Sequence, residues 1–237
     1  DKGYDEEFAS RCFKQIEGFG EYGFPESHAA SFALLVYFSA WLKRHEPAAF
    51  YCGLLNSQPM GFYSPSQLVQ DARRHDIEVR PVDILISEWE STLEAPAYQG
   101  EIAAKQPAVR LGFQRIKGFK ADSADRVIHA RNYHPIQSIK DIAKRARLDK
   151  GDLARLTEGG AFKSLSGHRY QTHWQVSGLL PPSPLLDKEL NVAEPNQQYA
   201  PQKHQEETPV VLPPPLETDD LRADYKSIGL TLGRHPM

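Results

Sequence analysis

The residues best suited to act on a ligand lie in one stretch, Ile116-Lys117-Gly118-Phe119-Lys120-Ala121-Asp122-Ser123-Ala124-Asp125-Arg126-Val127. Its chemistry is that of phosphate binding. A glycine in a tight turn lets backbone N–H groups point outward at the start of the following helix, where the helix dipole adds to their pull on an anionic oxygen. Lys117, Lys120 and Arg126 supply cations beside that point, and Ala124 is small enough for two helices to approach closely. Contacts of this kind position a nucleic-acid backbone without reading its sequence.

The order of residues resembles a helix-hairpin-helix motif, with Lys117, Gly118, Phe119, Lys120, Ala121 and Arg126 as its DNA-binding positions. It departs from the motif at Lys120, which stands where a second glycine is usual and adds a cation. A second, more degenerate hairpin follows, from Ile139 to Leu148 and from Asp149 to Leu156. No glycine marks its turn, so no phosphate contact is assigned there. The next helix interleaves His168, Arg169, Tyr170, His173 and Trp174. Basic residues among aromatics can stack on bases and neutralise phosphates. The commoner arrangement puts the aromatics in a core and the charges in water. No metal site is read: His168 and His173 are five apart, whereas helical zinc ligands are three or four apart.

Charge places these residues in context. The net charge of -3 hides a basic middle: residues 110–175 hold fourteen Lys/Arg against six Asp/Glu. Residues 1–109 hold nine against sixteen, and 176–237 five against nine. Such a positive segment is either a phosphate-binding surface or a solvated helical face. Cys12 and Cys52 are too few for a disulfide framework. The longest apolar run, Ala29 to Leu42, is too short and too interrupted to span a bilayer, and no signal segment leads the chain, so a cytoplasmic protein is expected. The chain opens at Asp1 and stops just after His235-Pro236, so both ends read as cuts through a longer protein.

The positioning elements are mainly helical. Ser27 caps a helix to His45 whose apolar residues (Phe32, Leu34, Leu35, Val36, Tyr37, Phe38, Trp41, Leu42) point in all directions. A helix of that kind is a buried one, and without its surroundings it exposes an apolar patch. Pro47 starts a helix to about Asn56, and Ser64-Pro65 one to about His75. Ile77–Ile84 and Ala108–Phe113 read as strands. Short helices are expected from Ala121 to Asn132, from Ser138 to about Arg147, from Asp149 to Gly159-Gly160, and from Gly167 to about Val176. Nine of the eighteen prolines then lie between Pro181 and Pro215, the composition of a disordered linker. Leu221 to Leu232 starts a further element.

The segment Gly18-Phe19-Gly20-Glu21-Tyr22-Gly23-Phe24-Pro25-Glu26-Ser27-His28-Ala29-Ala30-Ser31-Phe32 resembles a signature of the bacterial C-family DNA polymerase III alpha subunits, the DnaE type. Trp41-Leu42-Lys43, Pro47 to Phe50, Leu54 to Tyr63, Asp71 to His75 and Arg115-Ile116-Lys117-Gly118 resemble its error-prone, translesion branch. The likeness covers most of residues 1–180 and resumes from Asp224-Tyr225 to His235-Pro236. It implies a distal fingers region over 1–105, a tandem helix-hairpin-helix over 106–180, a Pro-rich linker over 181–215, and from 216 the start of an oligonucleotide-binding (OB) fold. In the fingers it implies nucleotide and template contacts at Tyr22, Ser27, His28 and Lys43. Read singly, Ser27 is as well explained as a cap, and Tyr22 and His28 as packing residues.

The resemblance further implies primer-template DNA and dNTP as partners of the whole polymerase, with Mg²⁺ as its cofactor, and the sliding clamp and other mutasome proteins as associates. Two-metal phosphoryl transfer needs converging carboxylates. No Asp-x-Asp pair occurs in this chain, and Asp219-Asp220 borders the proline-rich stretch. The segment is therefore expected to hold no cofactor and, by itself, to extend no primer. Two other readings compete: a non-catalytic helix-hairpin-helix module of repair or recombination, and a protein-interaction scaffold suggested by the proline-rich tail.

Overall fold

The computed structural model describes residues 3, 5–21, 26–96, 98–99, 102–103, 106–179 and 210–234. The described residues are mainly helical, with ten helices and five short strands. They divide into two compact units, Asp1–Glu46 and Pro47–Met237. Residues on the two sides of 105 share one buried core in the second unit.

The first unit holds α1 (Glu6–Glu21) and α2 (Glu26–His45). The sequence pattern gave no warning of α1, which runs through Gly18 and Gly20. The helix at α2 forms as expected, but it is not buried: Phe32, Leu34, Leu35, Val36, Tyr37 and Phe38 are 52–64% exposed. Two helices cannot enclose one whose apolar residues face every way.

In the second unit, α3 (Pro47–Asn56) and α4 (Pro65–Arg74) start at the expected prolines. Ser64 caps α4 in a full capping box with Gln67. Three short strands follow, β1 (Val79–Arg80), β2 (Thr92–Glu94) and, after the small hairpin β3 (Tyr98–Gln99) and β4 (Ile102–Ala103), β5 (Ala108–Arg110). Their sheet has the order β1-β5-β2, with β1 parallel and β2 antiparallel to β5. The strand expected over Ile77–Ile84 shrinks to two residues. Pro81 lacks the N–H a ladder needs, and Asp83 turns the chain by accepting from the Leu85 N–H at 2.8 Å.

Asn56 ties α3 to the sheet. Its side chain donates to the Ser91 carbonyl at 2.9 Å and accepts from the Ser91 N–H at 2.7 Å and from Gln114 at 2.8 Å. Gly112 packs so tightly that a Cβ there would lie 2.3 Å from the Glu90 carbonyl carbon. Beyond it come a 3-10 turn (Phe113–Arg115), α5 (Ala121–Tyr133), α6 (Ile139–Arg145), α7 (Lys150–Glu158), α8 (Lys163–Ser166), α9 (Arg169–Ser177) and α10 (Glu217–Ser227). Tyr51, Leu55, Val69 and Ile84 share a continuous apolar core with Phe113, Ile116, Leu156 and Phe162. The Ile84 N–H also donates to the Ala161 carbonyl at 2.8 Å. The linker expected over 181–215 lies outside the described residues up to 209. No helix among the described residues is long and apolar enough to cross a membrane.

Candidate nucleic-acid interface

The 3-10 turn Phe113–Arg115, the turn at Gly118 and α5 form the first hairpin. Ile116 and Phe119 are buried, and the Phe119 ring lies 5.7 Å from that of Phe113. Gly118 has φ +74°, a left-handed conformation that side chains disfavour. Space is short there too, since a Cβ would lie 3.1 Å from Nε of Arg155. Lys120 occupies the N-cap position, and no side chain caps α5.

The second hairpin repeats this geometry without glycine. Arg147 takes φ +49°, Asp149 is the N-cap, and α7 begins at Lys150. In both hairpins the left-handed residue precedes the cap by two positions and the helix by three. Phe119 and Leu148 fill matching buried places, as do Val127 and Leu156. The helix starts differ in charge. Asp149 accepts from the Asp152 N–H at 2.6 Å, so a carboxylate already sits where an anion would bind. No side chain caps the start of α5, and the carboxylate of its first turn, Asp122, is turned to Arg126.

A buried carboxylate joins the hairpins. Asp152 accepts a hydrogen bond from Ser123 at 2.8 Å and lies 3.6 Å from Arg126 and 3.8 Å from Arg155. Ser123 and Asp152 are 29 residues apart and equivalent in the two repeats, as are Arg126 and Arg155. Residue-by-residue reading passed over Asp152 and Arg155; aligning the chain on itself at that spacing would have found them.

Two of the three cations at the first hairpin are already committed to partners. Lys117 donates from its backbone N–H to the Ser227 carbonyl at 2.8 Å and from Nζ to the Tyr225 carbonyl at 3.1 Å, so it caps α10. Arg126 pairs with Asp122 and donates to Ser123 at 3.1 Å and to the Ala146 carbonyl at 2.9 Å. Lys120 is exposed and has no partner among the described residues. The hairpin thus offers anions an uncapped helix start with one uncommitted lysine.

The α9 segment reverses the commoner expectation. Its arginine is the buried member and its aromatics are wet: Arg169 is 4% exposed, Trp174 55% and Tyr170 40%. Arg169 pairs with Asp220 and, at 2.7 Å, with Asp224, both on α10. The Tyr170 hydroxyl donates to Asp219 at 2.9 Å, a bond that pushes its pKa up. His168 caps α9 by accepting from the Gln171 N–H at 3.2 Å. With Nδ1 so engaged, Nε2 carries the proton that reaches the Leu212 carbonyl at 3.0 Å. Residues 210–212, expected in the linker, are therefore docked on α9.

Of the expected fingers contacts, Tyr22 and the Ser27 side chain lie outside the described residues. The His28 ring lies 4.4 Å from that of Phe32 at a tilt of 57°, and Lys43 is half-buried in the last turn of α2.

A family model described as a helix-hairpin-helix motif matches residues 76–172, which include both hairpins. The chain is 52% identical to an error-prone DNA polymerase of Azoarcus sp. (strain BH72) over 236 residues, 100% of this chain and 21% of that protein. It is 49% identical to that of Pseudomonas fluorescens (strain Pf-5), covering 99% of this chain and 22% of the relative. Identity to that of Pseudomonas aeruginosa (strain PAO1) is 48%, covering 100% and 21%. The chain thus spans about a fifth of the length of the curated relatives it matches.

Proposed function

Because this chain is homologous along its whole length to one segment of the error-prone DNA polymerases, we propose that it supplies sequence-independent duplex grip, together with fingers contacts, to a template-directed polymerase of translesion synthesis. One observation carries the reading. The first hairpin holds an uncapped helix start and an uncommitted Lys120 on a turn fixed by Gly118 and braced through Asp152. Backbone amides and one cation on a rigid turn suit a phosphate and ignore the bases. The second hairpin, capped by Asp149, serves as the brace.

Catalysis belongs to other parts of such a polymerase, which works on primer-template DNA and dNTP in the cytoplasm. Among the described residues no group of three His, Cys, Asp or Glu side chains could hold a metal ion. Asp152, Asp220 and Asp224 are committed to Ser123 and to arginines. These described carboxylates are therefore not free to hold the Mg²⁺ of the whole polymerase. The chain by itself extends no primer; Mg²⁺-dependent extension by the pure chain would overturn that statement.

The duplex reading is tested by a salt series with blunt duplex DNA. Wild type weakens as salt rises, and Lys120→Ala lowers the log–log slope by about one. An unchanged slope in a folded Lys120→Ala variant removes the first hairpin from the interface.

A further inference from the structure

A groove of about 1010 Å³ opens between α5 and α6, away from the start of α5. Two arginines set its walls by capping each other's helix. Arg126 of α5 donates to the Ala146 carbonyl at the end of α6, at 2.9 Å. Arg145 of α6 donates to the His134 carbonyl at 2.6 Å and to Ala130, at the end of α5. Its one lining carboxylate, Asp141, is 3.0 Å from Arg145 and so neutralised. The groove is thus shaped without a ligand and carries excess positive charge.

Several lining residues have uncommitted side chains, among them a ring and a cation. Tyr133, in the last turn of α5, is 92% exposed, and Arg147, at the second hairpin's turn, is exposed. Neither has a partner among the described residues. An aromatic face presented to water beside unpaired positive charge is the pairing that single strands use: bases stack on the ring and phosphates meet the cation. A duplex keeps its base faces stacked inside and has none to offer Tyr133. An acidic peptide would satisfy Arg147 but leave the ring uncovered.

We propose that this groove binds a single-stranded oligonucleotide, with a nucleobase stacked on Tyr133 and a phosphate at Arg147. The inference rests on the nucleic-acid reading of the hairpins and adds a second, chemically different contact.

The test is fluorescence anisotropy of the whole chain with strands of roughly twelve nucleotides. The probes are oligo-dT, oligo-U, an abasic strand of equal charge and a polyglutamate peptide. The base-bearing strands bind at least severalfold more tightly than the abasic strand or the peptide, and the tighter of the two shows whether DNA or RNA is the source. Tyr133→Ala weakens them roughly tenfold, whereas Tyr133→Trp keeps affinity. Arg147→Asn, which tolerates the left-handed backbone, lowers the salt slope by about one. Equal binding of the abasic strand or the peptide, or no loss in Tyr133→Ala, overturns the proposal. Blunt duplex with Lys120→Ala reports on the hairpin separately, so either contact can fail without the other.

Discussion

The Ser123 hydroxyl donates to the Asp152 carboxylate at 2.8 Å, joining equivalent positions of two hairpins 29 residues apart. Asp152 is nearly inaccessible, and its oxygens are further approached by Arg126 and Arg155. The hairpins therefore move as one body, which a phosphate grip on only one of them requires.

That relationship predicts a coupled loss of stability. Ser123→Ala costs about 1–2 kcal/mol, and Asp152→Ala about 2–3 kcal/mol because it removes the acceptor of the buried Ser123 hydroxyl and the carboxylate beside Arg155. The double variant falls short of the sum by about 1 kcal/mol. Urea denaturation of the four proteins measures this, and strict additivity would mean the bond does not link the hairpins.

The two hairpin turns should respond oppositely to glycine chemistry. Gly118→Ala places a Cβ at φ +74° and against Arg155, costing about 1–2 kcal/mol. Arg147→Gly relieves a left-handed arginine at φ +49° and leaves stability within about 1 kcal/mol of wild type or above it. Thermal melts distinguish the two, and equal losses would contradict the turn geometry.

Glu94 gives the fold an acid-sensitive element. It bridges Arg110 at 2.7 Å and Arg80 at 2.6 Å, and the bond from Arg110, aided by Arg80, holds its pKa below the ordinary value against the effect of burial. A lowered carboxylate stabilises the fold fully above its unfolded pKa of about 4.3, and that stability is lost as pH falls through the native value. Glu94→Gln costs about 2 kcal/mol at neutral pH and removes part of the loss below about pH 4. Parallel acid profiles of variant and wild type would show that Glu94 is not the source.

Arg169 holds the C-terminal helix. Arg169→Ala leaves Asp220 and Asp224 without their buried partner, costing about 3 kcal/mol or more. Because Lys117 caps α10, the same change should speed hydrogen exchange in both 217–231 and the Gly118 turn. Faster exchange in α10 without any change at the turn would break the proposed connection.

The starts of α3, α4, α6 and α7 were legible because Pro47, Ser64-Pro65, Ser138 and Asp149 act locally: a fixed φ or a capping oxygen needs no distant partner. The glycine turn at Gly118 was legible for the same reason. The helix at α2 could also be read, but not its exposure, which depends on what surrounds it. Alternation over Ile77–Ile84 predicts a longer strand than forms, because Pro81 lacks the N–H that would continue the ladder.

Which cation stays unpaired could not be read from residue type. Lys117 and Arg126 lie in the same motif as Lys120, yet they turn to carbonyls of α10 and α6, partners supplied by segments distant in sequence. Arg169 and Trp174 exchanged their expected places because Asp220 and Asp224 stand some fifty positions later in the chain, at separations of 51 and 55. Local sequence determined where this protein makes helices and turns, since caps and dihedral limits act over a few residues. Only the tertiary structure decided which charges remain for a ligand, because pairing between remote segments sets which side chains are already satisfied.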